Sequence, residues 1–267
     1  MWNRLIISII GIPILGYIYY NGGLPLLIFV NLIIGVGILE FYTMAKTEEK
    51  SPYIILGTIT ALLIPNIIYF KLDLKISEIL IFLVLAIMTF RVLKNKVENT
   101  SYELGTTILG IVYVSIFFSH MLLISGMKNG GKLLLTIQVL VWVCDSFAYF
   151  TGLAVGRKFF NRGFSEISPK KSIEGCLGGI FFTVLALYGI NEAFNIFEET
   201  FPLWKLISSG IIIGIIVQIG DLAESIFKRE FKVKDSGKIL GEHGGILDRF
   251  DSLIFLLPVI YYLLKFL

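Results

Sequence analysis

The chain has 267 residues, of which 56% are hydrophobic and only 16% are charged. Its mean hydropathy of +0.83 is too high for a soluble domain of this length and predicts a polytopic membrane protein. The net charge of +3 is small, so the positions of the charges are more informative than their sum. Neither Cys144 nor Cys176 has a histidine at metal-ligand spacing. This excludes a zinc site, and we expect both cysteines to be small buried residues.

Nine apolar segments approach the length of about 20 residues that a membrane helix needs. They cover residues 5–20, 24–45, 53–70, 77–93, 105–127, 133–156, 176–194, 203–227 and 252–267. Such long runs without alternating polarity are typical of helices and not of strands. The first segment is expected to be a retained helix, because no small-x-small cleavage site follows it. The sequence therefore predicts an all-α integral membrane protein with about nine transmembrane helices.

We expect a single integral unit, with N-terminal helices over residues 1–130 and a catalytic region over residues 131–267. Nine crossings would place 17 of the 23 Lys and Arg residues on the side of the N-terminus and six on the other side. The positive-inside rule then predicts a cytoplasmic N-terminus, two cytoplasmic basic loops and an external C-terminus.

Acidic residues at the ends of the apolar segments are the first candidates for chemistry. Asp145 lies inside the sixth segment. Asp221, Glu224 and Lys228 share one helical face at the end of the eighth segment. A carboxylate in an apolar segment should face a cation, water or the protein interior.

Two further carboxylates, Asp248 and Asp251, precede the ninth segment at i, i+3 spacing. Together with Asp221 they would form a hard-oxygen site suited to Mg²⁺. A single aspartate there could instead cap a helix without any metal, and we favour the metal for the three together.

Both basic loops carry residues that suit phosphate binding. Gly244 and Gly245 let the backbone approach a ligand closely, and the N–H groups at a helix start can bind an anion. The preceding His243 could act as a base or donate a hydrogen bond to phosphate, and it could equally be a loop residue with a structural hydrogen bond. In the other loop, Ser168 and Lys171 combine a hydroxyl with a cation. Ordinary positive-inside loops would explain the lysines but not the Pro and Gly pattern.

Several common catalytic motifs are missing from the sequence. It contains no nucleophile elbow of the form G-x-S-x-G and no P-loop. Metal-assisted phosphoryl or nucleotidyl transfer needs neither, because it depends on positioned anions, Mg²⁺ and cations.

The stretch Ser225–Asp251 closely resembles the signature of the phosphatidate cytidylyltransferases, also called CDP-diacylglycerol synthases. The matching residues are Ser225, Lys228, Arg229, Lys234, Asp235, Gly237, His243, Gly244, Gly245, Asp248, Arg249 and Asp251. Further likeness surrounds Asp145, the Ser168–Gly175 stretch and Asp221, so the resemblance is specific over residues 140–260. In one departure, Gly241 and Glu242 occupy positions where many members have Pro-Gly.

The resemblance implies transfer of a cytidylyl group from CTP to phosphatidate, with Mg²⁺ as cofactor and K⁺ as a candidate second cation. It implies Asp221, Lys228, Asp248 and Asp251 as catalytic residues, with the three aspartates as metal ligands. The other matched residues would bind substrate: Asp145, Ser168, Lys171, Ser225, Arg229, Lys234, Asp235, His243, Gly244, Gly245 and Arg249. The implied partners are CTP, phosphatidate in the bilayer and a second copy of the chain in a homodimer, with no nucleic acid. The implied location is the inner membrane.

Two other functions are open at this point. A related CTP-dependent enzyme acting on a polyprenol or an archaeal-type lipid would share the same loop chemistry. A transporter could use Asp145 and Asp221 to line an ion path. The acids cluster toward one membrane face, however, and no inverted repeat is visible, so the transporter is less favoured.

Overall fold

The computed structural model of the chain describes residues 2–47, 49–160, 163–197, 201–239, 241 and 244–266, with side chains described from residue 11 onward. The regular secondary structure of the described residues is helical, apart from one isolated antiparallel bridge between Gly163 and Ser172. The helices, in chain order, are α1 (Trp2–Asn21), α2 (Gly23–Ala45), α3 (Ile54–Phe70), α4 (Ile76–Leu93), α5 (Thr100–Gly110), α6 (Phe117–Ser125), α7 (Gly130–Val155), α8 (Ile173–Phe194), α9 (Leu203–Glu230) and α10 (Leu247–Phe266). The predicted all-α class is confirmed for this part of the chain.

Each predicted apolar segment falls on a helix. The fifth falls on α5 and α6, which a π-helical segment, Ile111–Ile116, joins into one helix, Thr100–Ser125. Among the described residues, six helices are long and apolar enough to cross a membrane. They are α2, α4, the joined helix, α7, α8 and α9. With 17 residues, α3 is shorter, and α10 begins with charged residues. A total of nine crossings therefore stays a prediction.

Close packing of α7, α8 and α9 builds one side of the bundle. A Cβ added to Gly179 of α8 would lie 3.0 Å from the carbonyl oxygen of Cys144 on α7. A Cβ added to Gly214 of α9 would lie 2.9 Å from the Cα of Ile180 on α8. Glycines let helix backbones approach this closely, as is common between membrane helices. The ends of α7 and α9 and the start of α8 are thereby brought together.

The core joins this side to the N-terminal helices. Fully buried Ile34, Ile38 and Phe41 of α2 belong to the same apolar cluster as Val217 of α9 and Leu257 of α10. The aromatic ring of Phe41 packs edge-on against Phe227, with ring centroids 5.3 Å apart. Helix α2 therefore reaches the end of α9, where the predicted site residues lie.

Candidate active site

One basic loop contacts the helix from which the other basic loop begins. One loop, residues 156–172, runs from α7 to α8. The other, residues 231–246, runs from α9 to α10 and is here called the signature loop. Lys171 at the end of the first loop forms an ion pair with Asp221 of α9. The two residues lie 50 positions apart in the chain, and their contact brings the Ser168–Gly175 stretch against Asp221.

The first loop is held by backbone donors and by a helix cap. Ser172 begins α8, and its hydroxyl accepts the N–H of Gly175 at 3.1 Å. Glu174, in the first turn of α8, accepts the N–H groups of Phe159 and Phe160 at 2.9 Å each. A serine at the N-cap and an acid in the first turn both stabilise a helix start. Lys171 is thereby fixed beside the mouth of a cleft.

That cleft has a volume of ≈ 360 Å³, which is within the range of small-molecule sites. It opens between α7, α8 and α9. Its lining residues are Asp145, Ala148, Tyr149, Gly152, Leu153, Lys170, Lys171, Ser172, Gly175, Cys176, Gln218 and Asp221. Two of the lining residues, Tyr149 and Leu153, are exposed apolar side chains, and four others, Asp145, Lys170, Lys171 and Asp221, are charged. The cleft thus combines apolar and charged lining.

Lys228 connects α9 to α10. Its ammonium group lies 2.5 Å from Oε2 of Glu224 and 2.7 Å from Oδ1 of Asp248. The Glu224 side chain is 1% exposed, so one cation serves two acids that are largely removed from water. Loss of one member of a buried ion pair is costly, because the other charge is left without compensation.

The second oxygen of Asp248 binds the signature loop. Oδ2 accepts the N–H of Ser236 at 2.9 Å, the hydroxyl of Ser236 at 2.9 Å and the N–H of Gly245 at 2.8 Å. Asp248 therefore does cap the start of α10, as one interpretation of the sequence predicts, because it accepts the N–H of Gly245 just before that helix. It also binds Lys228 and Ser236. Each of its oxygens is already occupied by protein donors.

A second cavity, of ≈ 510 Å³, lies on the signature loop. Its lining residues are Lys234, Asp235, Gly237, Lys238, Gly241, Gly244 and Arg249. Gly244 has a φ of 79°, a conformation that favours glycine. Three cations around a polar cavity suit an anionic ligand.

Asp145, Asp221 and Asp251 lie in the same part of the structure. Asp145 and Asp221 both line the cleft with Lys171, and a Cβ added to Gly220, next to Asp221, would lie 3.2 Å from the carbonyl oxygen of Asp251. One oxygen of Asp251 accepts the N–H of the next residue, Ser252, at 2.6 Å. Within the described ranges, no three acidic, histidine or cysteine side chains gather closely enough to enclose a metal ion as they stand.

The donor chemistry nevertheless fits a hard cation, because carboxylate oxygens are the ligands that Mg²⁺ prefers. Asp221 and Asp251 fit this requirement, although Lys171 already binds Oδ2 of Asp221. Asp248 would have to release Lys228 or the signature loop before it could bind a metal.

Other predicted site residues lie around this centre. The carbonyl of Ser168 accepts the N–H of Lys171 at 3.1 Å, so Ser168 contributes to the loop through its backbone. Ser225 is half-buried on α9, and Arg229 is exposed near the end of that helix. His243 lies outside the described residues.

The sequence model of the Cytidylyltransferase family matches residues 2–267. The chain belongs to this family. The phosphatidate cytidylyltransferase of Bacillus subtilis is 32% identical over 271 residues, which cover 99% of this chain and 97% of the relative. That of Staphylococcus aureus strain COL is 31% identical, with 98% of each chain covered. That of Staphylococcus saprophyticus is 34% identical, also with 98% of each covered.

Three residues of this family member take part in the site without having been predicted there. Glu40 of α2 and Ser236 bind each other and the start of α10, and Glu174 fixes the first loop. The sequence held one signal for Glu40, which is an acid inside the long apolar run Leu24–Ala45. Glu174 and Ser236 carry no comparable signal, because polar residues are ordinary in loops and helix starts.

Proposed function

We propose that this protein is a membrane nucleotidyltransferase that converts CTP and phosphatidate to CDP-diacylglycerol and diphosphate in phospholipid biosynthesis. The Lys171–Asp221 pair is the observation that carries the proposal, because it brings together two distant stretches of the sequence in a cleft lined by both charged and apolar residues. The proposal is supported by the family and by relatives named phosphatidate cytidylyltransferase over nearly their whole length.

The reaction needs positioned charges more than it needs a base. A phosphate oxygen of phosphatidate attacks the α-phosphorus of CTP. The bond from that phosphorus to the oxygen bridging to the β-phosphorus breaks, and diphosphate leaves with the electron pair. The lipid phosphate is already ionised near neutral pH, so no side chain has to remove a proton. A catalytic base, including His243, is therefore not part of the proposal.

The two cavities divide the substrates between them. In the proposal, Lys171 binds the phosphate of the lipid, whose acyl chains lie along the wall formed by Tyr149 and Leu153. Lys234 and Arg249 bind phosphates of CTP in the cavity of the signature loop. Cations at both phosphates would stabilise the charge that spreads over the phosphoryl oxygens in the transition state.

Mg²⁺ would be held by Asp221 and Asp251, and when bound it would neutralise charge on the phosphoryl oxygens. Lys228 keeps Asp248 and Glu224 in place on either side of the α9–α10 junction. A role for Asp248 as a third ligand, and K⁺ as a second cation, are finer parts of the same proposal.

We infer an inner-membrane location with the active-site loops in the cytoplasm and the C-terminus outside. The inference is supported by the bias of Lys and Arg toward the loops on the side of the N-terminus. A homodimer belongs to the proposal through the family resemblance alone.

An assay with purified full-length protein tests the function. Labelled CTP and Mg²⁺ are incubated with phosphatidate, a polyprenyl phosphate or an archaeal-type phospholipid precursor. We expect a labelled liponucleotide from phosphatidate, and about 100-fold lower activity in Lys171→Ala. Lys158→Ala is the matched control, because it removes the same charge from the same loop outside the cleft. A product formed only from another lipid would overturn the assignment of phosphatidate.

A further inference from the structure

A buried carboxylate of the N-terminal half holds the signature loop. Glu40 lies near the end of α2 and is 5% exposed. Its Oε1 accepts the N–H of Ile246 at 3.0 Å, and its Oε2 accepts the N–H of Leu247 at 3.0 Å and the hydroxyl of Ser236 at 3.2 Å. These contacts span about 200 residues of sequence and join two halves of the chain.

The accepted N–H groups belong to the start of α10. The first N–H groups of a helix have no partner within it, and they carry the positive end of the helix dipole. Glu40 accepts the N–H groups of Ile246 and Leu247, and Asp248 accepts the N–H group of Gly245. Two carboxylates, one from each half of the chain, thus hold three successive N–H groups.

Glycines on both sides make room for this contact. A Cβ added to Gly37, one turn before Glu40 on α2, would lie 2.9 Å from the side chain of Leu247. A Cβ added to Gly237 or Gly245 of the signature loop would collide with the carboxylate of Glu40. Glu40 therefore explains in physical terms why these two signature positions need a residue without a side chain.

We propose that Glu40 is a positioning residue for cytidylyl transfer. Ser236 links it to Asp248, the carboxylate that holds Lys228. The Ser236 hydroxyl shares its single proton between Glu40 at 3.2 Å and Asp248 at 2.9 Å, and its oxygen accepts the N–H of Asp248 at 3.3 Å. For its effect on catalysis, this inference rests on the proposed function. The attachment of the signature loop to α2 can be measured without any substrate.

The first test is Glu40→Gln, which keeps the size of the side chain. It replaces one carboxylate oxygen, which accepts N–H groups, by an NH2 group, which can only donate. We expect the kcat with CTP and phosphatidate to fall about 10- to 100-fold, because buried N–H groups lose their partner. KM for phosphatidate should change little, since Glu40 does not line the cleft with Lys171.

Tyr42→Phe is the matched control. Tyr42 lies two residues further along α2, is fully buried and donates its hydroxyl to the carbonyl of Thr107 at 2.7 Å. Removing that hydroxyl should lower the melting temperature without changing kcat, because it touches no part of the signature loop. If Tyr42→Phe and Glu40→Gln lower kcat equally, Glu40 has only a general structural role and the proposal fails.

A double-mutant cycle adds a test that destabilisation alone cannot mimic. The methyl group of Gly237→Ala meets Glu40, and Glu40→Asp withdraws the carboxylate by one methylene. Gly237→Ala should reduce kcat in both backgrounds. We expect the factor of this reduction to be at least about tenfold smaller in the Glu40→Asp background than in the wild type. Additive effects would show that the two residues do not act through this contact.

Hydrogen exchange separates this inference from the proposed function. The amide protons of Ile246 and Leu247 should exchange faster in Glu40→Gln than in the wild type, and at the wild-type rate in Tyr42→Phe. A wild-type protein without cytidylyltransferase activity would refute the proposed function, and exchange would still decide whether Glu40 holds the loop. Unchanged exchange, or unchanged kcat in an active Glu40→Gln protein, would overturn the inference.

Discussion

At the scale of single residues, the site has more carboxylate side chains than cationic ones. Five carboxylates, those of Asp145, Asp221, Glu224, Asp248 and Asp251, lie around two cations, Lys171 and Lys228. Both proposed substrates carry phosphates and bring more negative charge. Further cations are therefore needed when the substrates bind, and the signature loop supplies some of them. A divalent metal would supply the rest at the acids that lack a buried lysine.

The metal assignment predicts different behaviour for neighbouring aspartates. We expect Asp221→Asn and Asp251→Asn each to raise the Mg²⁺ concentration for half-maximal activity about tenfold or more, because each removes an anionic ligand. Asp248→Asn should mainly lower kcat, because the oxygens of Asp248 already bind Lys228 and the signature loop. Mg²⁺ titrations of CTP turnover measure both quantities.

Glu230→Gln is the matched control for the Mg²⁺ titrations, since it removes an exposed acid at the end of the same helix as Asp221. It should leave the titration unchanged. A shift for Asp248→Asn as large as that for Asp221→Asn would restore Asp248 as a metal ligand. No shift for Asp221→Asn or Asp251→Asn would remove the metal from this pair.

The sequence singles out charged residues where they lie beside apolar runs at fixed spacing. The structure pairs two sets of them, Lys171 with Asp221 and Lys228 with Asp248, and their roles in the reaction stay predictions. Glu40 could not be predicted as a partner of the signature loop. Its contacts depend on how α2 packs against α10, and no local pattern encodes that packing.

At the scale of helices, two glycine faces set the distance between Lys171 and Asp221. Gly175 and Gly179 bring α8 against α7, and Gly210 and Gly214 bring α9 against α8. Each pair has the spacing of G-x-x-x-G, a pattern common where membrane helices approach closely. The cleft lies between these same three helices, so its width depends on residues without side chains.

Enlarging one of these glycines should open the site. A Cβ at Gly179 would lie 3.0 Å from a backbone oxygen of α7, so Gly179→Val forces the helices apart at a cost of about 1–3 kcal/mol. We expect a lower melting temperature and at least about tenfold lower activity, measured in detergent with CTP and phosphatidate. Gly189→Val is the matched control on the same helix, because a Cβ at Gly189 has no neighbour within 4 Å. Equal loss in both variants would contradict the packing explanation.

Helix positions are predictable from hydropathy, but helix starts at the site are not. The apolar run predicts the ninth segment from residue 252, whereas α10 begins at Leu247. The additional residues include Asp248 and Asp251, so these two of the three predicted metal ligands lie on α10. Glu40 and Asp248 stabilise this early start by accepting its free N–H groups, an effect that hydropathy cannot detect.

At the scale of the whole molecule, the site is assembled from both halves of the chain. Helix α2 contributes Glu40, and the end of α9 packs through Phe227 against Phe41 and against Tyr113 of the π-helical segment. The ends of α2, α7 and α9 therefore lie at one end of the bundle. An even number of crossings separates each of these ends from the predicted cytoplasmic N-terminus. Fold and charge bias thus lead to one topology that can be tested.

That topology predicts which loops can be labelled from outside the cell. Single substitutions Asp73→Cys, Lys96→Cys and Phe266→Cys place a thiol after α3, after α4 and at the end of α10, all at exposed positions. An impermeant maleimide should label the first and third in intact spheroplasts, and the second only after permeabilisation. The native Cys144 and Cys176 are both buried, so background labelling should be low. Labelling of all three after permeabilisation is the control for access.

If positions 73 and 96 lie on one side, α4 does not cross the membrane. Position 266 on the same side as position 96 would make the number of crossings even and exclude nine.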